Sequence, residues 1–377
     1  MTASGAAGQS GTSQNPGLDT SPQALRDLLN GYRRTQMLYV AAKLGIPDLL
    51  KDAPRHSAAL AGTLGVHPQA LHRVLRGLAL LAVLTEEPDG RFGLGPLGRH
   101  LLSDASGSMR AEAILYGAEF YPTWGNLLYT VETGKPASHR VFGTSTWEHR
   151  AQDPDLNEHF NRYMVAMTTQ VVDAVLAAYD FSAVHTLVDV GGGHGTFIAA
   201  VLQAYPRMSG ILFDQDHVAA GARAYLEAAG VAARCRIVTG NFFESIPRGA
   251  DAYLLKWIIH DWDDDRSATI LRNCRAALEG RGKVLLVERL MPARAAQSPS
   301  TIHGDLTMLV IEGGRERTEA EFRALFTASG LALARIVPTP SDLYVIEAVP
   351  GDAEPPSNLA GAEPAPLGPS GPRGWPS

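Results

Sequence analysis

The sequence has little cysteine, with only Cys235 and Cys274 in 377 residues. Their surroundings read as strand and helix, so neither a disulfide framework nor a zinc knuckle is available, which suits a reducing cytoplasm. A run of about 18 apolar residues is missing, as is a basic-plus-apolar leader, which argues against membrane spanning and secretion. Positive charge is also short: Lys+Arg is 33 against Asp+Glu 39, for a net charge of −6. That is a poor balance for a protein that must neutralise a phosphate backbone. Apolar residues, by contrast, make up 45% of the chain, enough for a large core, and the length suggests two or three domains.

The most informative stretch runs from His185 to Met291. HTLVDV is short, apolar and β-branched, and it ends at Asp189 before a run of glycines; TFIAAVLQAY then has helical periodicity. Strand, tight loop and helix follow one another. Gly191, Gly193 and Gly195 let the backbone turn and let a ligand approach, and the helix start offers free N–H groups. A dinucleotide fingerprint would read G-x-G-x-x-G, but Thr196 stands where its last small residue belongs. Asp189 would repel a pyrophosphate and could hold an ammonium group. GILFD ends in Asp214, roughly 20 to 25 residues past the loop, where an acidic side chain takes ribose hydroxyls. A ligand with both an amino acid and a ribose is S-adenosylmethionine, which these residues favour over a dinucleotide. His260 lies beyond a further strand, AYLLKW, between its carboxyl end and an acidic helix start, where α/β proteins bind ligands. Imidazole there suits general-base work near neutral pH. The run Asp261, Asp263, Asp264 and Asp265 reads as helix capping and dipole compensation, and no metal site is expected.

LVDVGGGHGTF, ILFDQDHV, GNFFESIP, LLKWIIHDWDDD, VLLVERLMP and GGRERTEAEF occur in this order. The series resembles S-adenosylmethionine-dependent O-methyltransferases of the plant caffeate and bacterial polyketide-tailoring type, from about Leu28 to about Val349. The resemblance implies an α/β fold, a Rossmann-like class I methyltransferase sheet with an N-terminal, mostly helical, winged-helix-like dimerisation domain. It implies a homodimer, S-adenosylmethionine as methyl donor and a phenolic hydroxyl of an aromatic natural-product intermediate as acceptor. Residue by residue, it implies His260 as base, flanked by Glu288 and Glu316, with Asp261 positioning base or nucleophile. On the cofactor side it implies Met164 and Thr168 in FNRYMVAMT, Lys256 at the ribose and Phe242 against adenine. Asn241 stands where the family usually has Asp at the adenine amino group, and its amide oxygen could still accept that bond. Close relatives methylate carbon or nitrogen, so ring C-methylation is the main alternative.

The remaining chain divides by composition. Residues 1–20 and 351–377 are small, polar or Pro-rich and read as disordered tails. A Ser-Pro helix start at Ser21 opens a helix that Gly45 and Pro47 should stop. HSAALAGTLG, QALHRVLRGLALLAVL and a hairpin with Asp89-Gly90 at its turn complete a winged-helix pattern over 21–108. A winged helix could also be a ligand-sensing DNA regulator, with His72, Arg73 and Arg76 reaching phosphates, but its helix is mostly Leu, Ala and Val. Residues 109–180 look helical and concentrate Tyr116, Phe120, Tyr121, Trp124, Trp147, Phe160, Tyr163, Met164 and Met167, as core or as wall of an acceptor pocket. A catalytic domain over 181–350 closes with a hairpin from LALARIVPT and DLYVIEAV.

Overall fold

The computed structural model describes residues 19–351, and the two expected tails lie almost wholly outside them. Ser21 caps the first helix, Pro22–Leu29, by accepting the Ala24 N–H at 3.2 Å. The helix expected to reach Leu44 breaks at Asn30, with Gly31 starting a second one, Gly31–Lys43. Gly45, at φ 65°, ends that helix, but Pro47 does not stop the chain. It sits in the first turn of Ile46–Leu49, where a missing N–H costs nothing.

The winged-helix pattern is present. Strands β1 (Arg55–His56), β2 (Leu84–Glu86) and β3 (Arg91–Leu94) form an antiparallel sheet in the order β1-β3-β2. The β2–β3 turn has Gly90 at φ 80°, and the Asp89 carboxylate accepts the Arg91 N–H at 3.1 Å. Helix Pro68–Leu80 buries Leu71, Leu75 and Leu78. His72 Nδ1 lies 3.2 Å from Ser57 Oγ, and exposed Arg76 lies 3.6 Å from Glu86.

Seven strands make the large sheet: β4 (Thr186–Val190), β5 (Ser209–Asp214), β6 (Cys235–Thr239), β7 (Ala252–Lys256), β8 (Lys283–Glu288), β9 (Leu331–Pro338) and β10 (Tyr344–Pro350). Their order is β6-β5-β4-β7-β8-β10-β9, parallel through β8, with β10 antiparallel to both β8 and β9. This is the expected Rossmann-like arrangement. The chain winds outward from β4 to β6 and returns to β7, so the carboxyl ends of β4 and β7 diverge at the switch point where such sheets bind ligands.

Side chains alternate across the sheet, so both faces need cover. Val188, Tyr253, Leu255, Val284 and Leu286 pack on one side with helices Asp264–Ala277 and Glu319–Ala328. Leu187, Leu254, Leu285 and Val287 pack on the other with Thr196–Ala204 and the 25-residue helix Pro154–Ala178. Cys235 and Cys274 are free and buried in the expected strand and helix. Among the described residues no helix is long and apolar enough to cross a membrane. Leu254 is fully buried in the central β7. Leu254→Ala is expected to cost about 2–5 kcal/mol by loss of burial and a residual cavity. Urea unfolding followed by tryptophan fluorescence measures this, and a loss under about 1 kcal/mol would show a site able to collapse around the deletion.

Candidate active site

The glycine loop opens a cleft at the end of β4. Gly191 takes φ 69° against Ile258, where an added Cβ would lie 2.5 Å from the Ile258 methyl. Gly193, at φ 60°, borders open space and donates its N–H to Asp214 Oδ2 at 2.8 Å. The cleft encloses about 1010 Å³ with its open mouth included. Asp189, Gly191, Gly193, Asp214, Phe242, Lys256, Met164 and Thr168 all line it.

The electrostatics of this cleft are those of a cation site. Asp189 is 1% exposed, its Oδ2 has no hydrogen-bond partner among the described residues, and burial pushes its carboxyl up to about 7. Burial also raises Asp214 to about 6, against the two N–H groups, Gly193 and Gln215, that hold its oxygens. Lys256 is pulled down to about 8 by burial, with Asp189 and Glu288 opposing. A buried carboxylate oxygen without a partner is costly, and an ammonium group would satisfy it.

Beside the cleft, the chain kinks at Trp257, a non-glycine residue at φ 54°. The next two N–H groups, of Ile258 and Ile259, both donate to Glu288 Oε1, at 3.1 and 3.0 Å. This turns the backbone so that buried His260 points Nδ1 at Glu316 Oε1, 3.1 Å away, with Glu288 Oε2 at 3.7 Å. Nε2 lies 3.4 Å from Asp261 Oδ1. Arg289 reaches Glu316 at 3.5 Å and is held by Asp342. Burial alone would lower the imidazole, but Glu288, Glu316 and Asp261 outweigh it and raise His260 to about 10. Burial raises Asp261 to about 8 and also raises Glu288, while His260 and Arg289 hold Glu316 below its ordinary range in spite of burial.

Two sequence families cover most of this structure. Residues 124–332 match the O-methyltransferase domain, and residues 26–104 match the O-methyltransferase dimerisation domain. The chain belongs to the O-methyltransferase family. It is 45% identical to a phenazine O-methyltransferase of Lysobacter antibioticus, covering 86% of this chain and 95% of that one. It is 40% identical to a mitomycin biosynthesis 6-O-methyltransferase of Streptomyces lavendulae, over 87% and 95%. The fold matches the crystal structure of an O-methyltransferase from neocarzinostatin biosynthesis, solved with S-adenosylmethionine and 2-hydroxy-5-methyl naphthoic acid. That match has a TM-score of 0.76 at 31% identity, over 84% of this chain and 96% of that one. This methyltransferase therefore uses S-adenosylmethionine as methyl donor, and the unpartnered Asp189 oxygen and open glycine loop fit a ligand that carries an amine.

Not every residue singled out from sequence borders the cleft of the methyltransferase. His260, Glu288 and Glu316 sit together behind Asp261, which alone of the four lines it. Gly195 caps the following helix at φ 82°, packed under Leu212 and Leu226, and does not line the cleft. Asn241 does not line it either: its Oδ1 accepts the Phe243 N–H at 3.0 Å, the arrangement of a turn residue. Asp263 caps the Asp264–Ala277 helix by accepting the Arg266 N–H, as the acidic run suggested. Of the aromatic set, Trp147 and Phe160 reach the cleft, whereas Phe120 and Trp124 pack on Val310 and Ile311. Sequence reasoning missed Arg150, Trp257, His194 and His217 on the cleft wall. Only the position of His194, inside the glycine loop, carried a usable signal.

Because His260 is raised, its ion pairing stabilises the ligand-free fold below the ordinary imidazole value of about 6.5 and is lost as pH rises through about 10. Imidazole nitrogen NMR of the ligand-free methyltransferase is expected to show His260 protonated on both nitrogens between about pH 6 and 8. In Glu316→Gln its titration should move to lower pH. A wild-type transition near the ordinary value would contradict the arrangement.

Proposed function

We propose that the enzyme methylates a phenolic hydroxyl of an aromatic natural-product intermediate, with His260 as general base. The observation that carries this is the buried His260, fixed through Nδ1 on Glu316 and set beside a cleft whose Asp189 Oδ2 has no hydrogen-bond partner among the described residues. The relatives named for phenazine and mitomycin methylation support the acceptor class.

Bound S-adenosylmethionine supplies an electrophilic methyl group on a sulfonium. Asp189 would hold its ammonium group, Asp214 and Lys256 its ribose, and Phe242 would lie against adenine, with Met164 and Thr168 also contacting the cofactor. The Thr168 hydroxyl donates to the Met164 carbonyl at 2.7 Å, so its oxygen faces a ligand only as an acceptor. Glu316 keeps a proton on Nδ1, which leaves Nε2 to take the phenol proton; Asp261 steadies that face of the ring. A base must start neutral. Positive charge entering the cleft opposes a second one on His260 and shifts the imidazole toward its neutral form. His260, Glu288 and Glu316 lie close enough together to hold a metal ion; in the proposed reaction the Nδ1 of His260 instead keeps a proton bonded to Glu316, and no metal is assigned.

We assign residues 21–108 to dimerisation, 109–180 to the pocket wall and 181–350 to catalysis. Helix Pro22–Leu29 buries none of its residues, and Leu25, Leu28 and Leu29 are 60%, 79% and 67% exposed, an apolar face suited to a second subunit of a homodimer.

Transfer of labelled methyl from S-adenosylmethionine to a panel of phenolic aromatics tests this reading. Label is expected on oxygen, His260→Ala should lose about 10²-fold or more in kcat with cofactor affinity held, and Asp189→Asn should weaken S-adenosylhomocysteine binding by more than about tenfold. Label on ring carbon, or full activity in His260→Ala, would overturn it.

A further inference from the structure

Arg150 is a buried guanidinium on the cleft wall, 3% exposed, on helix Thr146–Gln152. Glu119, brought inward by the π-helical turn Tyr116–Phe120, takes two of its donors: Nε to Oε2 at 2.9 Å and Nη2 to Oε1 at 2.5 Å. Glu312 lies 3.6 Å from Nη2 and is itself held by the Thr146 hydroxyl at 2.7 Å. Nη1 has no hydrogen-bond partner among the described residues, although it is fully shielded. The guanidinium carbon Cζ lies 3.8 Å from the Phe160 ring centre and 5.1 Å from that of Trp147, and both rings line the same cleft. A planar donor set against aromatic walls is built to meet a planar ligand that carries an acceptor atom.

We propose that Arg150 Nη1 is a hydrogen-bond donor subsite of the acceptor pocket that selects aromatic acceptors bearing an uncharged carbonyl oxygen, as in a quinone or ring ketone. The inference rests on the proposed acceptor class and makes it more specific. Charge decides between a carbonyl and a carboxylate. Glu119 already neutralises the guanidinium, and Glu312 and Asp261 add carboxyl groups that burial pushes toward their neutral forms. A carboxylate ligand would enter a neighbourhood that already resists further negative charge. A carbonyl oxygen accepts the Nη1–H without that repulsion, and it satisfies a donor whose isolation is costly.

The test uses the enzyme saturated with S-adenosylhomocysteine and compares binding of 1-tetralone, tetralin and tetralin-1-carboxylate by calorimetry. None of these has a phenolic hydroxyl, so the result does not depend on methyl transfer. The variants are Arg150→Lys and the double variant Arg150→Met with Glu119→Gln, which avoids leaving Glu119 buried and unpaired. Wild type is expected to bind the ketone about tenfold tighter than tetralin and to gain nothing from the carboxylate, and both variants should lose the ketone preference while binding tetralin within twofold. Equal binding of ketone and tetralin by wild type, tighter binding of the carboxylate, or a ketone preference that survives in both variants would overturn the proposal. So would a parallel loss of S-adenosylhomocysteine affinity, which would place Nη1 on the cofactor. The same variants are then assayed for methyl transfer to 6-hydroxy-1-tetralone and to 5,6,7,8-tetrahydro-2-naphthol. The ratio of kcat/KM values, compared between wild type and variant, removes the ketone's own effect on phenol acidity, and it should fall about tenfold. Absence of transfer to either phenol in wild type, with the binding pattern intact, would count against phenol methylation and leave the Arg150 subsite standing.

Discussion

The site depends on how one short segment, Gly314 to Arg317, is docked on the loop that carries His260. The Arg315 N–H donates to the His260 carbonyl at 2.8 Å. Glu316 Oε1 accepts the hydrogen bond of His260 Nδ1–H, and fully buried Arg317 donates to the carbonyls of Ile259 and Trp262 at 2.9 and 2.8 Å. Gly314 is required because a side chain there would run into the His260 carbonyl. From below, Glu288 receives the Ile258 and Ile259 N–H groups. The loop is thus held from both sides through its main chain, which fixes the imidazole with little freedom left to lose when substrate arrives.

That clamp is also an electrostatic one. Three carboxyl groups around one imidazole in a dry site cannot all ionise at ordinary values, so protons are redistributed: His260 rises, Asp261 and Glu288 rise, and Glu316 falls. Asp189 and Asp214 rise for the simpler reason of burial. The two halves of the site, the cleft at Asp189 and Asp214 and the cluster behind Asp261, therefore both hold acidic groups out of water. On the proposed reading a cationic donor suits the first half, and its arrival would push His260 in the second toward its neutral form.

What the sequence disclosed follows the range of the interactions involved. The strand, glycine loop and helix around Asp189 were legible because β-branched residues, positive-φ glycines and helical periodicity are local properties. The wing was legible from Asp89-Gly90. Gly195 and Asn241 were placed in the cofactor set by position in a motif; in the ligand-free structure Gly195 caps the following helix under Leu212 and Leu226, and the Asn241 amide oxygen accepts the Phe243 N–H, contacts that depend on the turns around them. The Arg150, Glu119 and Glu312 cluster was out of reach, since its members come from three separate helical segments. The break at Asn30-Gly31 was missed because the apolar spacing continues across it.

The central claim is that the docked segment, and not His260 alone, makes the base competent. Arg317→Met tests it most directly, because Arg317 lies behind the loop and outside the cleft lining. In a variant that still melts cooperatively, kcat should fall by about tenfold or more while S-adenosylhomocysteine affinity stays within twofold, as expected when a positioning residue acts only through the reacting geometry. Unchanged kcat in the folded variant, or a loss confined to cofactor affinity, would contradict the account.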